Sequence, residues 1–186
     1  MALKKKIILG LSAASLLSIG FIVFMSYKTQ KTSINPPISS TSPSYKNLQP
    51  GVSTTKDITN NLGDPAKETQ DGIYNILEYS SNNPNFNNQL YVNSDKLTLV
   101  KQIVAPNDNI KIQDLTQKYG NYENMLYASG SASGFNLYVY PSKGIAYVGH
   151  QESGIVLEVW YFTPTTFDNF KATFAKDYSD NPVPGQ

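Results

Sequence analysis

The sequence predicts an α+β chain: two tandem units, each a short helix packed on an antiparallel sheet, preceded by one N-terminal transmembrane helix. Three observations predict it. Asp57-Ile58-Thr59-Asn60-Asn61-Leu62-Gly63-Asp64-Pro65 returns as Asp114-Leu115-Thr116-Gln117-Lys118-Tyr119-Gly120-Asn121-Tyr122. Each copy precedes runs rich in β-formers, as expected of one supersecondary unit used twice. Upstream of both, residues 7–27 carry no charge.

That uncharged run spans roughly 30 Å as a helix at ~1.5 Å per residue, the thickness of a bilayer core. Lys4, Lys5 and Lys6 precede it and favour a cytoplasmic amino terminus. Residues 1–27 are therefore expected to be a cytoplasmic tip and membrane anchor. The alternative is a cleaved signal peptide. The run ends in Val23-Phe24-Met25-Ser26-Tyr27 without a small-x-small cleavage pattern, and Ser12-Ala13-Ala14 lies too early. Either choice sends the rest of the chain outside the cytoplasm. Residues 28–46, rich in Ser, Thr and Pro with Pro36-Pro37 at the centre, read as an extended, disordered spacer.

The first unit, 47–107, opens at Gln49-Pro50-Gly51. Thr54 is a good N-cap with Asp57 at the capping-box position, and Ile58 and Leu62 share one helix face. Gly63 is expected in the left-handed cap position, with Pro65 stopping the helix. A helix this short needs a sheet to pack on. Strands are expected at 73–79, 89–93 and 97–104, a three-stranded meander broken at Asn83-Pro84-Asn85.

The second unit, 108–178, repeats the plan. Ile112, Leu115 and Tyr119 mark its helical face and Gly120 ends it, but Lys111 stands where Thr54 caps the first helix. Strands are expected at 124–128, 135–140, 144–149 and 155–162, with flexible connections at 129–134 and 150–154. The closing strands match as Val100-Lys101-Gln102-Ile103-Val104 against Val156-Leu157-Glu158-Val159-Trp160. Thr165 is expected to cap a last helix with Asp168 at N3 and an aromatic stripe of Phe167, Phe170 and Phe174. Residues 179–186 read as a disordered tail.

Composition narrows the chemistry. Cysteine is absent, which removes disulfides, thiolate nucleophiles and thiolate metal sites. His150 is the only histidine, so no cage of several histidines can form within one chain. All 15 basic residues are lysine. Beyond Lys4–Lys6 the balance is slightly acidic, a poor footprint for nucleic acid.

The run from Gln49-Pro50-Gly51 through Leu62-Gly63-Asp64-Pro65 to Tyr79 resembles the SmpA/OmlA family, small lipoproteins that accompany the outer-membrane β-barrel assembly machine. The tandem arrangement resembles the wider superfamily of β-lactamase-inhibitor proteins. The matching residues are Gly51, Gly63 and Pro65, with Gly120 in the second copy, and the resemblance implies that they serve as turns and caps. The family's lipid-bearing cysteine is missing, and Tyr122 replaces the proline in the second copy. The resemblance implies a fold used for protein contacts in the cell envelope.

Candidate chemistry is sparse. His150, near Glu152, reads as part of an exposed turn. Glu78 and Glu158 are candidates for a carboxylate pair, with a solvated outer face as the ordinary reading; Asp57 is a third acid to test. Gly130, Gly134, Gly144, Gly149 and Gly154 punctuate hairpins without a phosphate-binding loop. The stripes Leu137/Val139 and Tyr138/Tyr140 are expected to include one core face and one candidate binding face, and Trp160 reads as core. No catalytic, cofactor-binding or metal-binding residue is assigned. The expected function is a non-catalytic, membrane-anchored extracytoplasmic module that binds an envelope protein, with no nucleic-acid partner. Binding of cell-wall glycan or a small ligand, and inhibition of an extracellular enzyme, remain alternatives; hydrolysis by two carboxylates is a third hypothesis.

Overall fold

The tandem halves share a single sheet. The computed structural model describes residues 42–128 and 134–182. The expected membrane helix at 7–27, most of the spacer, connection 129–133 and the end of the tail lie outside the described residues. In chain order the elements are α1 (Thr55–Leu62), β1 (Lys67–Asp71), β2 (Tyr74–Ser80), β3 (Asn87–Asn93), β4 (Lys96–Ile103), α2 (Ile112–Tyr119), β5 (Asn124–Tyr127), β6 (Phe135–Tyr140), β7 (Ile145–His150), β8 (Val156–Phe162) and α3 (Phe167–Phe174). The strands form one antiparallel sheet in the order β1-β2-β3-β4-β8-β7-β6-β5. The fold is α+β. Two sheets side by side become one because β4 and β8, the last strand of each half, satisfy each other's open edges.

The first half has four strands, not three. Strand β1, Lys67-Glu68-Thr69-Gln70-Asp71, lacks the apolar alternation by which strands are recognised. It is an edge strand, and its charges deter further pairing.

Both short helices are built alike. Thr54 Oγ1 accepts from the Asp57 amide (3.2 Å) while Asp57 Oδ2 accepts from the Thr54 amide (2.8 Å). At α2 only the second bond has a counterpart, Lys111 N–H to Asp114 Oδ2 at 2.9 Å, because lysine has no acceptor to offer. Gly63 and Gly120 end the helices at φ 80°, ψ −161° and φ 84°, ψ −171°. Their φ is positive as expected, but ψ is extended, so neither is the left-handed cap; this region is open essentially to glycine alone. The carbonyl of each accepts a tyrosine hydroxyl, Tyr79 to Gly63 (3.1 Å) and Tyr140 to Gly120 (2.8 Å).

Two β-bulges correct the expected register of the closing strands. Tyr91 and Val92 pair with Leu99 and Leu97, leaving Thr98 as the extra residue. Val148 and Gly149 pair with Glu158 and Val156, leaving Leu157 as the extra residue. Leu97 therefore corresponds to Val156, and Val100 to Val159 rather than Val156. By the same count Lys101 corresponds to Trp160, its direct partner across the junction. A local two-fold axis passes between them.

The sheet buries both faces. On one, α1 inserts Ile58 among Leu77, Leu90 and Val100, and α2 inserts Leu115 among Tyr140, Ile145 and Tyr147. Tyr161 packs against both clusters. On the other face α3 packs mainly on the second half, with Phe170 against Trp160 and Phe162, and reaches the first half at Leu99 and at Tyr74, whose ring lies 6.5 Å from that of Phe174. Thr166, not Thr165, caps α3, accepting from the Asn169 amide at 3.3 Å, so Asn169 rather than Asp168 holds N3. The Thr165 amide is engaged elsewhere, donating to Pro141 O.

The folded part extends past both expected limits. Tyr45, assigned to the spacer, is buried and its ring lies 6.1 Å from that of Tyr161. Ser179, assigned to the tail, exchanges two backbone hydrogen bonds with Tyr127 (2.8 and 2.9 Å). No helix among the described residues is long and apolar enough to cross a membrane.

Candidate functional site

One row across the sheet shows where the halves diverge. Lys67, Glu78, Gln89 and Lys101 pair in succession through β1–β4, and the row continues through Trp160, Ala146, Val139 and Asn124. Symmetry about the junction makes Glu78 the counterpart of Val139, Gln89 of Ala146 and Lys101 of Trp160. From Trp160 to Val139 the second half is apolar here because α3 buries it. In the first half α3 reaches Tyr74 and Leu99 but leaves the row from Lys67 to Lys101 polar.

Two clefts of about 710 and 300 Å³ open on this face, both lined by Lys101, and the end of α3 walls the larger one. The larger runs from Gly72 and Tyr74 to Phe174 and Asp177. The smaller is bounded by Glu78, Asn87, Gln89 and Glu158, with Phe86 on its rim at 60% exposure.

Lys101 is held by rings rather than by carboxylates. Its Nζ lies 4.2 Å from the Trp160 centroid and 5.3 Å from that of Tyr91. Among the described residues it makes no hydrogen bond and no ion pair. Burial lowers its pKa, while Glu158, Asp177 and Asp71 act in the opposite direction. The nearby carboxylates have other donors: Glu158 Oε2 accepts from Trp160 Nε1 at 2.6 Å, and Glu78 takes Lys67 Nζ at 3.5 Å and Asn87 Nδ2 at 3.1 Å. The structure thus places Glu78 and Glu158 on one cleft, which their sequence spacing could not show. They stand on β2 and β8, three strand spacings apart, or on the order of 14 Å at the backbone. Asp57 lies elsewhere, as the α1 cap; the Thr54 amide bond holds its carboxyl below the usual value.

A second groove, about 710 Å³, lies on the opposite face beside α2. Ile112, Thr116, Met125 and Tyr138 line it, with the Gln151–Gly154 turn. Tyr122, in the place of Pro65, stacks edge-on against Tyr138 at 5.0 Å and remains 42% exposed. Ile155, next to Gly154, is equally exposed.

The remaining candidates are structural. His150 is the last residue of β7, not part of a free turn: its ring lies 4.9 Å from Phe135, and Nδ1 accepts from the Ser153 amide at 3.2 Å. That bond places the proton of the neutral ring on Nε2. Glu152 makes no hydrogen bond or ion pair with it. Both stripes of β6 are core, Leu137/Val139 under α3 and Tyr138/Tyr140 under α2, so neither is the expected open face. Trp160 is 2% exposed, as its core reading requires. No group of three or more acids and histidines suited to a metal occurs among the described residues.

No protein-family model and no curated protein matches the chain. Three solved structures are similar at low identity. A DUF4309 family protein from Bacillus subtilis is 14% identical over 65% of this chain and 86% of its own, with a TM-score of 0.48. An extracellular protein containing a SCP domain from Bacillus anthracis is 14% identical (71% and 55% coverage, TM-score 0.43). A cysteine-rich secretory protein from Staphylococcus aureus is 9% identical (76% and 54% coverage, TM-score 0.41). The chain spans about half the length of the latter two. Likeness at this level assigns no family, ligand or partner.

Proposed function

We propose that the protein is a non-catalytic interaction module of the cell envelope, anchored by residues 7–27 and displayed outside the cytoplasm, that grips a partner protein at the Tyr122 groove. The observation that carries this reading is Tyr122 itself. An aromatic ring half-exposed over a groove that mixes Ile112, Met125 and Tyr138 with Gln113, Gln117 and Gln151 offers contact area with a polar tip, the composition favoured at protein interfaces. The resemblance of Gln49–Tyr79 to the SmpA/OmlA pattern supports an envelope role. The engagement of Glu78 and Glu158 by structural donors supports a binding rather than a hydrolytic role.

Cross-linking in intact cells, with Tyr122→Ala alongside wild type, tests the reading. One discrete protein captured by wild type and lost in the variant is the expected result. The same capture by both proteins overturns the assignment of the groove. Protease added to intact protoplasts should digest the chain beyond residue 28; protection until lysis reverses the topology. A mature protein beginning near residue 27 replaces the anchor by a cleaved signal peptide.

A further inference from the structure

We infer that the trough centred on Lys101, on the face opposite the Tyr122 groove, binds a neutral saccharide. The inference is independent of the protein contact. Its two clefts fall within the size range of small-ligand sites and join at Lys101.

The lining selects the ligand class by exclusion. Four carboxylates, Asp71, Glu78, Glu158 and Asp177, face the trough against Lys101 and Lys176, with Lys67 paired to Glu78 at its edge, so one negative charge is left over. That excess of negative charge disfavours phosphates and acidic peptides. A cation meets the Lys101 ammonium at the point where the clefts join. An apolar ligand strands the Lys101 donors, which have no protein acceptor among the described residues. A chain of hydroxyl groups has none of these faults. Each hydroxyl offers a donor to the free lone pairs of Glu78 or Glu158 and acceptors to Lys101. The C–H face of a sugar ring has a platform in Phe86, which projects from the rim.

In the second half Val139, Ala146 and Trp160 fill the matching positions beneath α3. Among the described residues the trough therefore lies on the first half, along the end of α3.

Trp160 provides the assay. It is the only tryptophan, and its ring contacts the ammonium that the saccharide would engage. The full-length chain should show a saturable change in tryptophan emission with neutral tetramers of glucose or N-acetylglucosamine. By calorimetry, Lys101→Met should weaken binding about tenfold, the scale of one hydrogen bond to a charged group, and Phe86→Ala by about tenfold through loss of the ring platform. Tyr122→Ala should bind the tetramer as wild type does, which separates this site from the protein contact. Absence of saturable binding overturns the inference. Tighter binding of a cationic de-N-acetylated tetramer or an anionic uronic-acid tetramer overturns the ligand class. Phe86 is exposed, so full affinity in a folded Phe86→Ala protein removes the platform even if Lys101→Met does not fold.

Discussion

Lys101 and Trp160 hold equivalent positions in the two halves and face each other across the β4–β8 junction, with the ammonium nitrogen 4.2 Å from the indole centroid. One member of a duplicated position has become a charge and the other the surface on which it rests. A cation over an indole face gains about 0.5–2 kcal/mol, which offsets part of the cost of removing the ammonium from water.

The remaining cost makes a pH-dependent prediction. Burial leads the effects that set Lys101's pKa below its usual 10.5, so the unfolded chain holds this proton more tightly. Between the folded value and 10.5 the unfolded state binds more protons, and this group's contribution to stability rises with pH. Urea midpoints of wild type and Lys101→Met, measured from neutral pH to about 10.5, should shift in favour of wild type. A constant difference contradicts the burial of a charged ammonium.

Tyrosines act in the opposite sense at higher pH. Burial pushes Tyr161 and Tyr178 from 10.0 up to about 12. Above pH 10 the unfolded chain loses these protons first, so stability should fall as pH rises from 10 toward 12. Tyr161→Phe should flatten that fall in alkaline denaturation curves. An unchanged slope would show that its hydroxyl titrates freely when folded.

Gly63→Ala isolates backbone strain, because a Cβ there meets nothing within 4 Å yet φ is 80°. The expected loss is about 1–3 kcal/mol in chemical denaturation, with a similar loss for Gly120→Ala. A neutral result at either position refutes the extended, positive-φ conformation.

The unequal helix caps predict changes of opposite sign. Thr54→Ala removes the acceptor for the Asp57 amide and should cost about 1 kcal/mol. Lys111→Ser supplies the missing acceptor on a backbone already extended at φ −112°, ψ 155°, and should add up to about 1 kcal/mol. Thermal unfolding of both variants reads the two signs directly.

Phe170→Ala should be the most damaging of these substitutions. The ring is fully buried, with its centroid 4.6 Å from Phe162 and 6.3 Å from Trp160. Truncation should cost about 3–5 kcal/mol by denaturant titration. A loss below about 1 kcal/mol would mean that α3 does not anchor the second half.

Elements that rest on local chemistry are legible along the chain. The α1 cap at Thr54 and Asp57, the glycine ends at 63 and 120, the four strands of the second half and the Phe167, Phe170, Phe174 helix all follow from residues close in the chain. The sequence could not reveal β1, because a charged edge strand carries no apolar period, nor the bulges at Thr98 and Leu157, because an extra residue leaves no mark in composition. Tertiary structure alone decided which surfaces stay open. Tyr138 and Leu137 alternate as a half-exposed strand should, yet both are buried because α2 and α3 cover opposite faces of β6. Glu78, Lys101 and Glu158, remote in sequence, meet on one trough because β4 pairs with β8 and α3 stops short of their cleft. Hydrogen bonding between distant strands joined them, and the chain's local preferences carry no record of that pairing.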